Sequence, residues 1–170
     1  SAMVANLTIH KKGFESNYKK YISISENCQK LKDELMQLSS DDSLAYDNVI
    51  NAIRLPKKTN IDISFRNKQI ELATINAAEV PLKILEKCLS TFKQVLNISK
   101  IGNPNSITDI GVANELLLSG ARGAAYNVLI NVKDLKNGKT FKDKVDFYLK
   151  QVDSYHFEIT ENINKILNND

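Results

Sequence analysis

The amino-acid sequence predicts an all-α protein, a bundle of about five long and mostly antiparallel helices, and three observations support this. Apolar residues recur at helical spacing along most of the chain, whereas the alternation typical of strands is nearly absent. Only 6 glycines and 3 prolines occur in 170 residues, so few elements are interrupted. The breaks between apolar tracts are short, which favours antiparallel neighbours. The length suits one apolar core, and we expect a single domain over residues 1–170.

The first tract, residues 1–9, is predicted to be the end of an apolar helix. Lys11 and Lys12 lie near its C-terminus, where cations are favoured, and Gly13 is the expected stop. The apolar stretch begins abruptly, so we expect an N-terminal helix that is truncated. A second tract is predicted over residues 15–38, with one buried stripe made of Tyr18, Ile22, Cys28, Leu31, Leu35 and Leu38.

Two signals divide the middle of the chain. The sequence "SSDD" at 39–42 is expected to cap a new helix that continues to Ile53, because serine and aspartate are good N-caps. Pro56 disfavours a helical residue before it and ends that helix. A third tract is predicted over residues 62–99, and Pro81 inside it should produce a kink.

A fourth helix is predicted from the end of "GNPN" (102–105) to about Leu135, and "KNGK" (136–139) is a turn. The fifth runs from 141 to 167. Its apolar positions at helical spacing are Val145, Tyr148, Leu149, Val152, Tyr155, Ile159, Ile163 and Ile166. Helices this apolar favour self-association, and we expect a homodimer.

Composition excludes several classes of protein. The net charge of +3 is too small to argue for a nucleic-acid partner, and no nucleic-acid-binding motif occurs. No apolar run approaches the ~18 residues of a membrane span, and the N-terminus has no signal-peptide pattern. Cys28 and Cys88 are sixty positions apart in apolar tracts, so we expect buried, reduced thiols and a cytoplasmic location.

The sequence lacks the motifs by which several common classes of enzyme are recognised. Neither His10 nor His156 has a partner at ligand spacing, so we expect no metal site. No glycine-rich phosphate loop and no nucleophile elbow occur. Any chemistry must therefore use carboxylates, amides and hydroxyls.

The stretch from Lys100 to Leu117 has two interpretations. In the structural one, Asn103-Pro104 starts a turn and Ser106 caps the next helix, with Asp109 completing a capping box. In the functional one, the unpaired N–H groups of a helix start are surrounded by more polar side chains than one cap needs.

The functional interpretation also involves the far end of the same helix. Asp109 and Asn127 are eighteen residues apart, which is five full turns, so they share a face but are separated by about 27 Å. They cannot contact one atom. They could serve the two ends of an elongated ligand, or two subunits.

Five segments carry a family resemblance, and they are "MVANLTIHKK" (3–12), "DDSLAYDNVINAIRLPK" (41–57), "AAEVPLKILE" (77–86), "IGNPNSITDIGVA" (101–113) and "GARGAAYNVLINVKDLKN" (120–137). Together they closely resemble the cyclodeaminase domain of formiminotransferase-cyclodeaminase. They also resemble its stand-alone bacterial relatives, the formiminotetrahydrofolate cyclodeaminases and methenyltetrahydrofolate cyclohydrolases. Two features depart from the family. No glycine-rich segment and apolar helix precede the first segment, and His10 stands where a glycine is usual.

The resemblance implies an all-helical homodimer whose substrate is a tetrahydrofolate derivative, with no further cofactor. The reaction is either conversion of 5-formiminotetrahydrofolate to 5,10-methenyltetrahydrofolate and ammonia, or hydrolysis of the methenyl compound to 10-formyltetrahydrofolate. A bundle that only binds folate, or only dimerises, is the alternative.

Roles for individual residues follow from this chemistry. Asp109 is the first candidate for a base or cation stabiliser, because a helix N-terminus favours its ionised form. Asp42, Tyr46 or a water molecule could be the acid. N-cap duty explains Asp42 equally well, and a core tyrosine is the simpler account of Tyr46. Substrate-binding candidates are Asn103, Asn105, Ser106 and Asn127 for the pterin ring, and Lys11, Lys12 and Arg122 for the glutamate tail.

Overall fold

The computed structural model describes residues 1–168, and these form five α-helices with no strand. The helices are α1 (Ala2–Ile9), α2 (Tyr18–Ile53), α3 (Asn60–Ile101), α4 (Ile107–Asn131) and α5 (Gly138–Leu167), with 3-10 turns at Glu15–Asn17 and Pro104–Ser106. The predicted all-α class is confirmed. The last two residues of the predicted domain lie outside the described part of the chain. Among the described helices, none combines the length and apolar character that a membrane crossing requires.

Successive long helices are antiparallel, and two hydrogen bonds fix their relative positions. The Tyr21 hydroxyl near the start of α2 donates to the Ile101 carbonyl at the end of α3 (2.8 Å). The Asn131 amide at the end of α4 donates to the Ala77 carbonyl in α3 (2.7 Å). We call the end where α3 meets α4 the junction end. The level of Ala77 is called the distal level.

All five helices contribute to one apolar core. Its largest fully buried side chains include Tyr21, Leu85, Phe92, Ile110 and Ile159. The predicted stripe of α5 is confirmed, because Val145, Val152 and Ile159 are fully buried and the other predicted positions pack against the core. The stripe predicted for α2 is displaced at its start, where Tyr21 and Ile24 are buried and Tyr18 is exposed. Cys88 is buried as expected, whereas Cys28 is only half-buried.

The predicted helix break at 39–42 is wrong, because α2 continues through it. Ala45 is buried against Ala77 and Val80 of α3, and Leu38 packs on the same small cluster. This apolar contact on both sides of the serine–aspartate run keeps the helix continuous. Tertiary packing therefore overrides the local capping preference.

Pro81 lies inside α3, as predicted, and has no N–H to donate to the Ala77 carbonyl four residues earlier. The side-chain amide of Asn131 supplies that donor from α4. The bridging role of Asn131 thus compensates the backbone bond that proline removes. The carbonyl is paired, and the end of α4 is fixed to the middle of α3.

Several helix ends differ from the predicted bounds, among them the start of α3, the end of α4 and the start of α5. α3 begins at Asn60, earlier than predicted, because Thr59 and Asp62 form a capping box. α4 ends at Asn131 and α5 begins at Gly138, where a Cβ would collide with the Val132 carbonyl.

Candidate functional site

The connection between α3 and α4 is held by a side chain of α1, that of Thr8. The Asn103 N–H donates to the Thr8 hydroxyl (3.1 Å), and that hydroxyl donates to the Val4 carbonyl (2.7 Å). The Asn103 side-chain oxygen accepts from the Asn105 N–H (3.2 Å). Because Thr8 and Asn103 are buried, these hydrogen bonds anchor the turn before α4 within the core of the fold.

The predicted capping box between Ser106 and Asp109 is wrong. Ser106 is buried, but its side chain makes no cap hydrogen bond. Its φ of −106° and ψ of 16° continue the preceding 3-10 turn, whereas a capping residue is usually extended. The hydroxyl is therefore not directed at the third helical N–H. Asp109 is left exposed, and within residues 1–168 it forms no hydrogen bond or ion pair.

Six of the predicted site residues lie at the junction end. Four belong to the α3–α4 segment, and they are Asn103, Asn105, Ser106 and Asp109. Lys11 and Lys12 join them because they follow α1 directly, and the Lys11 N–H donates to the Thr8 carbonyl (3.0 Å). Both lysines are exposed. Cations, amides and a carboxylate therefore surround one solvent-facing corner of the bundle.

Three predicted residues lie near the distal level instead. Asn127 is exposed on α4, one turn before Asn131. Tyr46 is twenty-five residues after Tyr21 on α2, which corresponds to about 37 Å along the helix. Asp42 is one turn before Tyr46 and half-buried. Within one chain, these three do not meet the junction-end residues.

The simpler explanations for Asp42 and Tyr46 are both wrong. Asp42 lies inside α2 and caps no helix. The side chain of Tyr46 is 64% exposed, so it is not a core tyrosine. Arg122, by contrast, has a partner, because its guanidinium donates to Asp153 on α5 (3.1 Å). Both side chains are about half exposed, and such pairs add little stability.

Within residues 1–168, no group of three or more His, Cys, Asp or Glu side chains is placed to hold a metal ion.

Comparison with known proteins identifies the family. The sequence model of formiminotransferase-cyclodeaminase matches residues 1–151. The chain belongs to this family. The predicted resemblance is therefore confirmed over most of the chain.

Two relatives show how much of this family the chain represents. It is 36% identical over 137 residues to methenyltetrahydrofolate cyclohydrolase of Methylorubrum extorquens, an alignment that covers 79% of this chain and 64% of that protein. It is 32% identical over 111 residues to formimidoyltransferase-cyclodeaminase of Rattus norvegicus, which covers 65% of this chain and 20% of that protein. The chain thus spans less than two thirds of these relatives.

A solved structure supports the fold. Formiminotetrahydrofolate cyclodeaminase from Thermotoga maritima superposes with a TM-score of 0.80 at 23% identity, covering 99% of this chain and 79% of that chain. At this identity the similarity establishes the shared helical architecture.

Sequence reasoning missed several polar contacts that position α4 and α5. Asn114 is buried and donates to the His156 carbonyl (3.2 Å) and the Thr160 hydroxyl (3.1 Å). Tyr148 donates to Glu86 of α3 (2.7 Å), and this bond and burial raise the pKa of the phenol. Each pair joins residues at least forty positions apart, so only a polar residue on an apolar face could have indicated them.

Proposed function

We propose that this chain is the folate-processing unit of a cyclodeaminase, which converts 5-formiminotetrahydrofolate to 5,10-methenyltetrahydrofolate and ammonia. Membership of the family supports a folate one-carbon reaction. The relatives are named for two different reactions, cyclohydrolase and cyclodeaminase. Hydrolysis of the methenyl compound to 10-formyltetrahydrofolate is therefore the second candidate, favoured by the relative with 36% identity.

The observation that carries the proposal is the unpaired carboxylate of Asp109 in the first turn of α4. The cap that would have explained it is not formed. This carboxylate lies at the positive end of a 25-residue helix, where negative charge is favoured, and both it and Asn105 are exposed to solvent. It is thus available to a cationic one-carbon group.

The chemistry uses Asp109 twice. Folate N10 attacks the formimino carbon and loses its proton to the carboxylate, forming a tetrahedral aminal. The amino group then accepts a proton, the carbon–nitrogen bond breaks, and ammonia leaves. The product is a cationic iminium, which the carboxylate stabilises by charge once its own proton has passed to solvent, while a separate acid protonates the leaving amine.

Other residues of the junction end bind the substrate. The amide of Asn105 is exposed and can hydrogen-bond the pterin ring, while Asn103 and Ser106 shape the turn beneath it. Lys11 and Lys12 are free to pair with the acidic tail. Arg122 serves that tail only if it leaves Asp153, and Asn127 contacts substrate only from a second subunit.

We propose that the second subunit is another copy of this chain. The outer face of α4 exposes Val112, Leu116, Tyr126 and Ile130, which would be shielded from water in a homodimer. If two α4 helices pair antiparallel across a two-fold axis, Asp109 of one copy lies near Asn127 of the other. The unpaired thiols of Cys28 and Cys88 are consistent with the cytoplasm as its location.

The test compares 5-formimino- and 5,10-methenyltetrahydrofolate as substrates for the wild type and Asp109→Asn. We expect Asp109→Asn to lower turnover by about 100-fold or more, while its free energy of unfolding stays within about 0.5 kcal/mol. Asp62→Asn is the matched control, because Asp62 occupies the first turn of α3 and does form a cap. It should lose about 1 kcal/mol of stability and keep its turnover.

The outcomes separate the alternatives. Ammonia release from the formimino substrate supports the cyclodeaminase, and turnover of the methenyl substrate alone supports the cyclohydrolase. If Asp109→Asn retains turnover within about threefold of the wild type, the assigned role is wrong. If neither substrate reacts but folate raises the melting temperature, the chain is a binding module.

A further inference from the structure

A cleft lies between the start of α2 and the end of α3, beside the junction end. It encloses about 510 Å³, within the range of small-molecule sites. Its charged lining groups are Lys19, Lys20 and Lys100, and its side-chain amides are Asn27, Gln94 and Asn97. No carboxylate lines it. Residues from two helices thus surround this cleft with hydrogen-bond donors.

The positive charge of this cleft is poorly compensated. Lys19 and Lys20 are the second and third residues of α2, at the positive end of a 36-residue helix, where cations are disfavoured. The first turn of α2 contains no acidic residue. Glu15, the nearest carboxylate before the helix, accepts instead from the Gly13 N–H (2.9 and 3.0 Å).

The third lysine differs from the other two. Lys100 forms an ion pair with Glu158 of α5 (2.7 Å), which places its ammonium at the edge of the cleft. Within residues 1–168, neither Lys19 nor Lys20 forms an ion pair. Two adjacent lysines that break a local electrostatic rule, next to a cavity rich in amides, indicate a compensating ligand.

We propose that this cleft binds a small anion with two or more negative charges, carried by carboxylate or phosphate groups. The two ammonium groups supply charge-assisted hydrogen bonds, and the amides of Asn27 and Asn97 supply neutral donors. The buried side chain of Ile24 forms an apolar floor against which a short carbon chain can pack. A monovalent anion would satisfy only one of the two lysines.

The experiment is a calorimetric titration of the whole chain with inorganic pyrophosphate and, separately, with citrate at low ionic strength. We expect saturable binding of one anion per chain. Lys19→Gln/Lys20→Gln should weaken it by about tenfold or more, the effect of losing charge-assisted hydrogen bonds. The control is Lys57→Gln/Lys58→Gln, an adjacent exposed pair in the α2–α3 connection, which removes the same charge and should leave affinity unchanged.

A neutral variant tests the cleft itself. Asn97→Leu keeps every charge and removes one donor, so it should weaken binding severalfold. Pyrophosphate should also raise the melting temperature of the wild type and of the control pair, but not that of Lys19→Gln/Lys20→Gln. Binding by pyrophosphate alone would assign a phosphate ligand, and binding by citrate alone a carboxylate ligand. Absence of saturation, or equal weakening by the control pair, would overturn the proposal.

Discussion

The hydrogen bond between Asn131 and the Ala77 carbonyl should contribute measurably to stability, because Pro81 leaves that carbonyl without its helical donor. Asn131→Ala removes a 2.7 Å bond and leaves a carbonyl unpaired in a residue that is only 6% exposed. Loss of one partner of a buried acceptor costs about 1–3 kcal/mol. For a chain of this length, that corresponds to a melting temperature lower by about 2–12 °C.

A double-mutant cycle isolates this effect. Pro81→Ala restores an N–H four residues after Ala77, so the carbonyl regains a donor within α3. In that background, Asn131→Ala should cost about 1 kcal/mol less than in the wild type, measured by urea unfolding followed by circular dichroism. Asn127→Ala is the control, since it removes an exposed asparagine one turn earlier on α4 and should change stability by less than about 0.5 kcal/mol. Equal costs of Asn131→Ala in both backgrounds would refute the compensation.

Three other measurements test contacts elsewhere. The hydrogen bond from Tyr148 to Glu86 raises the phenol pKa in the folded state. The stability that this bond contributes is therefore complete below about pH 10, and it is lost as pH rises through the folded pKa. The stability difference between wild type and Tyr148→Phe should therefore shrink at alkaline pH, and a constant difference would contradict this. Burial raises the pKa of Cys88 to about 11, so a thiol reagent at neutral pH should label this residue only after unfolding. Fast labelling of the native chain would show instead that this thiol is accessible. Leu116→Glu on the exposed face of α4 should shift a dimer to monomer in light scattering, and an unchanged mass would exclude this face.

The sequence predicted the fold well where apolar periodicity was strong, and less well where local signals competed with packing. The stripe of α5 was predicted correctly because its helical spacing continues without a break from Val145 to Ile166. The serine–aspartate run at 39–42 was misinterpreted, because good capping residues are also tolerated inside a helix that packing at Ala45 holds in place. Ser106 was misassigned for a different reason, since a 3-10 turn set its backbone angles.

The candidate site could be predicted only in part, because contacts between helices leave no pattern in the local sequence. The cluster around Asn103 is contiguous in sequence, so a motif could indicate it, and only the hydrogen bond from the Asn103 N–H to the Thr8 hydroxyl needed the structure. The ion pair of Arg122 on α4 with Asp153 on α5 joins residues thirty-one positions apart and has no local signature in the sequence. Polar residues that lie close together in the sequence were therefore found, whereas the residues that they contact on other helices were not.

The separation of the carboxylates restricts where the acid in the proposed reaction can come from. A proton donor must lie about 3 Å from the departing nitrogen, directly or through one water. Asp109 is at the junction end, whereas Tyr46 is about 37 Å along α2 from Tyr21, which contacts that end. Neither Asp42 nor Tyr46 can therefore act with Asp109 in the same subunit. The donor is a water molecule in a single-subunit site, or a group from the distal level of a second copy. An antiparallel pairing of α4 helices would bring that level to Asp109, so the choice of acid and the oligomeric state are a single question.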